Sequence, residues 1–183
     1  MPGAGKSTVG RQLAKRTGYR FVDCDAVIEA QIGESIRSFF EREGEDRFRD
    51  VEVAIVRELT QESALVIATG GGVVLRPENR EALRQTCLVF YLRATPEELY
   101  RRLRNDTQRP LLQVADPLRR LHELHRQRDP LYRQIAHHVV DIGRPTVQTL
   151  VNMILSQLQL AGAVEPSNAA GAATKTGPDI DGR

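Results

Sequence analysis

The stretch Gly3-Ala4-Gly5-Lys6-Ser7-Thr8 constrains this chain more than any other, because it runs straight into an amphipathic helix. Glycines in such a loop let backbone N–H groups converge, and the helix N-terminus adds its positive end. The result is a cradle for phosphate groups. In the pattern G-x-x-x-x-G-K-[ST], the lysine reaches the β- and γ-phosphates of a nucleotide and the next hydroxyl ligates magnesium. Lys6 and Ser7 fall at those places, with Gly3, Ala4, Gly5 and Thr8 around them. ATP and Mg²⁺ are therefore the expected donor and cofactor. The pattern's first glycine would stand one position ahead of Met1, and the apolar strand that usually feeds such a loop is not in the sequence. The expectation is that Met1 is an internal methionine of a longer gene product. The alternative is a fold without its middle strand.

Hydrophobic periodicity divides the chain into alternating helices and short apolar strands. Helices are expected over residues 6–17, 25–31, 35–42, 45–61, 76–84, 96–104 and 117–128, the last continuing over 131–136, and a closing helix over 146–160 with a threonine cap. Strands are expected at 21–22, 64–68, 87–92 and 138–141. The run Ala64-Leu65-Val66-Ile67-Ala68 is continuously apolar, as in a strand covered on both faces. This alternation predicts an α/β fold of three layers, a parallel sheet with helices on both sides. Residues 105–116 are polar and proline-containing and suit a mobile lid. From 163 to 183 the chain is too poor in apolar residues to stay ordered, leaving 1–162 as one domain.

Composition excludes several classes. No apolar run approaches the ~20 residues of a membrane span, and no N-terminal targeting pattern is present, so a cytoplasmic protein is expected. The net charge of +2 is too small for a nucleic-acid face. Cys24 and Cys87 cannot form a disulfide framework, and the four histidines show no zinc-site spacing. The cations comprise 23 arginines and 3 lysines, and arginine's planar fork suits carboxylate and phosphate.

Five further motifs follow the phosphate loop in order. Phe21-Val22-Asp23-Cys24-Asp25 sets two carboxylates side by side at a strand end; such aspartates also cap helices, and Asp25 is expected to combine both roles. Gly44-Glu45-Asp46-Arg47-Phe48-Arg49-Asp50-Val51-Glu52 puts Arg49 and Glu52 on one helix face. Thr69-Gly70-Gly71-Gly72 follows a buried strand, at the carboxyl edge where ligands bind in such sheets. Arg109-Pro110-Leu111-Leu112 lies in the lid segment, and Arg128-Asp129-Pro130-Leu131-Tyr132 follows a charged helix.

This ordered set resembles the shikimate kinase family over about residues 1–160. The resemblance implies a five-stranded P-loop kinase fold, here without its first, central strand. It implies transfer of the ATP γ-phosphate to the 3-hydroxyl of shikimate by a monomer. By resemblance, Asp23 supports the Mg²⁺ shell with Ser7, and Asp25 holds the acceptor hydroxyl and takes its proton. Arg49 and Arg128 grip the shikimate carboxylate, with Glu52 orienting Arg49. Gly70, Gly71 and Gly72 let backbone approach the substrate, within an acceptor segment of about 25–55. Arg109 swings over the phosphates. Arg102 stacks on adenine, with Arg104 close enough to leave that choice open, and Arg144 shapes the adenine pocket. Two rivals remain at this level: another small-molecule kinase of gluconate or nucleotide type, and an inert, shortened relative.

Overall fold

The computed structural model describes residues 1–104 and 114–164. The loop Met1–Gly5 leads into α1 (Lys6–Thr17), which ends at Gly18 in the left-handed conformation. Next come β1 (Arg20–Asp23), α2 (Cys24–Ile32), α3 (Ile36–Leu59) and β2 (Leu65–Ala68). A short 3₁₀ turn (Val73–Leu75) precedes α4 (Pro77–Thr86), β3 (Phe90–Arg93) and α5 (Pro96–Leu103). The chain closes through α6 (Pro117–Ile135), β4 (His138–Asp141) and α7 (Val147–Leu160).

The strands are parallel, as an α/β fold requires. β1 pairs with β2, Arg20 opposite Leu65 and Asp23 opposite Ala68. β3 pairs with β4, Phe90 opposite His138 and Arg93 opposite Asp141. Among the described residues these are two separate two-stranded ladders, not one continuous sheet. Alternation along β2 shows how the layers form: Leu65 and Ile67 face a small core with Ile28, Phe48, Ile55 and Leu59, whereas Val66 faces a large one with Val9 and Leu13. The large core also takes Tyr91, Leu99, Leu121, Val140 and Val151.

Local chemistry places the ends. The Ser35 side chain accepts from the Ser38 N–H at the start of α3, and Thr146 does the same for α7 from Thr149. Thr95 and Glu98 form a reciprocal capping box on α5. The two helices expected at 35–42 and 45–61 are the two parts of α3, which meet at Gly44, whose φ of 83° and ψ of 173° interrupt the helical path. The helix expected at 117–128 and continuing over 131–136 is one element, α6, which runs through Pro130. Its interior proline removes one ladder donor, and Leu121, Leu124, Tyr132 and Ile135 bury the same face along its whole length.

Ala163 and Val164 fall within the expected tail, yet Tyr19 Oη donates to the Ala163 carbonyl at 2.6 Å and Val164 packs against the large core. The rest of the tail, 165–183, and the lid core, 105–113, lie outside the described residues. No helix among the described residues is long and apolar enough to cross a membrane.

One backbone position is unfavourable for its side chain. Ala64, just before β2, has φ 53°, held while its carbonyl accepts from Arg20 N at 3.0 Å. A left-handed alanine costs about 1–2 kcal/mol, partly offset in a glycine by the entropy of the unfolded chain. Ala64→Gly is therefore expected to raise stability slightly, by about 0.5 kcal/mol, in a denaturant titration. A clear loss would show that the alanine methyl contributes more than its backbone costs.

Candidate active site

The phosphate loop takes the shape its glycines permit. Gly3 and Gly5 have φ of 74° and 77°, and the Gly5 carbonyl accepts the first α1 bond from Val9 N at 3.0 Å. Both positions need the left-handed region, which a side chain disfavours. Ala4 is buried, and Thr8 stands exposed in the first turn of α1. Lys6 Nζ folds back to donate to the Met1 carbonyl at 2.8 Å, which holds the ammonium over the loop.

Ser7 Oγ donates to Asp23 Oδ2 at 2.7 Å, joining the start of α1 to the end of β1. Asp23 Oδ1 accepts from Asp25 N at 3.2 Å, which makes Asp23 the N-cap of α2. The capping role expected of Asp25 thus belongs to Asp23. Asp25 is the second residue of the helix, and its Oδ1 lies beside Gly70. Solvent reaches its carboxylate, but the surrounding protein desolvates it enough to raise its pKa above the ordinary range. Asp23 and Glu29 push the same way, and Lys6 and Arg49 oppose them.

Arg49 is 8% exposed and Glu52 2% exposed, a buried pair on α3 with Arg49 Nη1 donating to Glu52 Oε2 at 2.8 Å. Glu45, one turn earlier, accepts from Arg49 Nη2 at 2.9 Å and from Nε at 3.2 Å. The guanidinium carbon lies 5.0 Å from the centre of the Phe48 ring, so one arginine is held by two carboxylates and an aromatic face. Burial raises the Glu52 pKa while Arg49 draws it down.

The triple glycine is where these groups meet. A Cβ on Gly70 would stand 2.6 Å from Asp25 Oδ1 and 3.3 Å from Glu52 Oε1. On Gly71 it would stand 3.5 Å from Arg128 Nη1, and on Gly72 it would collide with the Arg49 guanidinium. Each glycine therefore lies against a different side chain expected to hold the acceptor. Gly72→Ala is accordingly expected to displace Arg49 and raise the KM for an acceptor carboxylate about tenfold or more. Unchanged acceptor kinetics in that variant would show that Arg49 makes room without consequence.

From the other side, Arg128 Nη1 donates to the Gly71 carbonyl at 2.8 Å and Tyr132 Oη to the same oxygen at 2.6 Å. Arg128 Nε is buried and has no partner among the described residues. Behind them Tyr91 stacks on Tyr132 at 4.7 Å and donates to Asp129 Oδ1 at 2.8 Å. At the far edge, Arg102 Nη2 donates to the Ile142 carbonyl, tying α5 to the loop that carries Gly143 and the exposed Arg144. Arg109 lies outside the described residues.

The structure thus brings Lys6, Ser7, Asp23, Asp25, Arg49, Gly70, Gly71, Gly72 and Arg128 together, with Arg102 and Arg144 around a separate edge. Glu45, Asp129 and Tyr132 stand within motifs read from the sequence but were given no role there, and Tyr91 was not singled out. Glu45 could have been given one, since it lies four residues from Arg49 on a helix. Tyr91 and Asp129 are 38 residues apart, and no local pattern joins them.

Comparison with known proteins gives a consistent result. The family model described as shikimate kinase matches residues 2–159. A shikimate kinase of Paracidovorax citrulli is 56% identical over 170 residues, covering 91% of this chain and 93% of that protein. One of Ralstonia nicotianae is 55% identical, covering 90% of this chain and 86% of its own. Among solved structures, shikimate kinase from Acinetobacter baumannii in complex with shikimate superposes with a TM-score of 0.81 at 44% identity, over 87% of this chain and 89% of that one. The enzyme from Bacteroides thetaiotaomicron gives 0.81 at 28% identity, over 86% and 94%. With its phosphate loop, paired aspartates and arginine-lined triple glycine in one place, the chain belongs to the shikimate kinase family.

Proposed function

We propose that this chain transfers the γ-phosphoryl group of ATP to the 3-hydroxyl of shikimate, giving shikimate 3-phosphate and ADP. The observation that carries this reading is the convergence of Asp25, Arg128 and Arg49 on successive glycines at one strand edge. An acceptor with one carboxylate and several hydroxyls needs that combination. Arg49 and Arg128 take the carboxylate through charge-assisted hydrogen bonds. Asp25 aligns the 3-hydroxyl and accepts its proton as the oxygen bonds to phosphorus and the bond to ADP breaks. Lys6 and Arg109 neutralise the transferred group. Arg102 and Arg144 border adenine.

The oxygen donors of Ser7 and Asp23 fit a hard divalent cation, as their hydroxyl–carboxylate contact of 2.7 Å at the mouth of the loop indicates. These two residues would hold Mg²⁺, which supplies charge neutralisation on the phosphates. The acceptor segment of about 25–55, a lid at 105–116 and a tail from about 163 complete the organisation we infer. Action as a monomer in the cytoplasm belongs to the same reading.

The test is ATP- and Mg²⁺-dependent phosphorylation of shikimate by the purified chain, beside gluconate and nucleoside monophosphates. Phosphorylation of shikimate alone is expected. Transfer to gluconate or a nucleotide in its place would overturn the assignment. Its pH dependence carries a second expectation. Asp25 must be ionised to accept a proton, and its pKa is raised, so protonation begins at a higher pH than for an ordinary aspartate. The acid limb of kcat/KM, which reports the free enzyme, is therefore expected above the ordinary value of 3.8, with activity lost as pH falls through it. A kcat/KM that stays flat down to that value would exclude Asp25 as the titrating group.

A further inference from the structure

We propose that Asn79 and Arg80, in the first turn of α4, are positioning residues that set the triple glycine beneath Arg49 and so tune the grip on the acceptor carboxylate. The inference rests on the carboxylate role of Arg49 given above.

Three successive carbonyls leave the 3₁₀ turn after Gly72, and α4 takes all of them. Asn79 Nδ2 donates to the Val73 carbonyl at 3.1 Å. Arg80 Nη1 donates to the Val74 carbonyl at 2.7 Å and to the Leu75 carbonyl at 3.2 Å. The turn is internally tied as well, by Val73 N to the Gly70 carbonyl at 3.3 Å and Leu75 N to the Gly72 carbonyl at 2.9 Å. Any shift of Val73–Leu75 is thereby passed to Gly70 and Gly72. Gly72 has no freedom to absorb it, because its backbone already lies against the Arg49 guanidinium.

The choice of residue at position 79 supports a role beyond packing. Asn79 is 1% exposed, and its Oδ1 is buried with no partner among the described residues. A carbonyl can accept only from the amide nitrogen, so the side-chain orientation follows from the Val73 contact. A buried amide that leaves one end unpaired is a poor device for stability, and leucine of similar volume would serve the core better. Asparagine's single bond here goes to the turn that ends the glycine run. Arg80, half-buried beside it, spends one nitrogen on the next two carbonyls.

The experiment compares Asn79→Leu, Arg80→Met and Arg49→Lys in steady-state kinetics, varying shikimate and ATP separately, with thermal unfolding of each. Both α4 variants are expected to raise the KM for shikimate about tenfold, short of the ~10²-fold that an ångström of misplacement can cost. The KM for ATP should stay within about twofold, since uniform loss of acceptor binding leaves the donor side untouched. Asn79→Leu should melt no lower than the parent. An unchanged shikimate KM in the folded variants overturns the proposal. So does a parallel rise in both KM values with a lowered melting temperature, which is the signature of a purely structural role. If Asn79→Leu does not fold, Arg80→Met decides by the same criteria. Arg49→Lys separates the two layers: if it leaves the shikimate KM unchanged, the carboxylate role of Arg49 fails and the clamp falls with it. A raised KM in Arg49→Lys beside unchanged α4 variants sinks the clamp alone.

Discussion

Asp25→Asn is expected to lose about 10²–10⁴-fold in turnover while ATP binds almost as before. The variant keeps the shape of the side chain and its place one residue inside α2, and Asp23 remains the helix cap. What disappears is the proton acceptor. The stability consequence runs the opposite way. Because the folded protein raises the Asp25 pKa, it favours the neutral form of this group relative to the unfolded chain. At any pH above both pKa values, the ionised carboxylate therefore weakens the fold, and the neutral amide removes that penalty. Below both values the penalty is absent and the two proteins should melt alike. Thermal unfolding near pH 7 should find Asp25→Asn at least as stable as the parent, with turnover nearly gone. Near-normal turnover would remove Asp25 from the mechanism, and a marked loss of stability would mean that the carboxylate is structural.

Arg49→Met should damage both binding and folding, and a second substitution separates the two. Removing the guanidinium leaves Glu52, 2% exposed, without its 2.8 Å partner. An unpaired buried charge of this kind costs about 3–5 kcal/mol. The same change removes a charge-assisted grip on the acceptor, worth about 1.5–3 kcal/mol, or roughly 10–150-fold in the KM for shikimate. Adding Glu52→Gln neutralises the stranded carboxylate. The double variant is expected to recover most of the lost melting temperature and none of the lost affinity. If affinity returns with stability, Arg49 acts only by supporting α3.

The sequence and the fold agree most closely where local chemistry decides. The ends of α1 follow from the glycine loop before it and Gly18 after it, and the break in α3 from Gly44. β3 was harder to delimit, because Cys87-Leu88-Val89 is as apolar as the strand it precedes. Val89 instead bonds the turn before β4, donating to His137 Nδ1 and accepting from His137 N and His138 N, so the ladder begins at Phe90. In the site, the motif residues were legible because each motif occupies a few consecutive positions. Which of Asp23 and Asp25 caps α2 was not, since spacing is blind to which residue is half inside the helix. The layer behind the site was hidden for a different reason. Tyr91 and Asp129, or Asn79 and the Val73 carbonyl, are joined by tertiary contact and carry no spacing of their own.

Among the described residues the two ladders share no strand pairing, and the substrate site draws on both cores, which β2 and α3 link through Val66 and Val56. Asp25, Arg49 and Glu52 ride on α2 and α3, over the small core, whereas Lys6 and Arg128 belong to helices packed into the large one. Amide exchange should therefore open the molecule in two steps, with the α2–α3 unit exchanging at lower free energy than β3, β4 and α7. An acceptor held by Arg49 on one unit and Arg128 on the other would act as a tie between them. Its binding should slow exchange across α3 far more than across α7, so that a small molecule braces one part of the fold against the other.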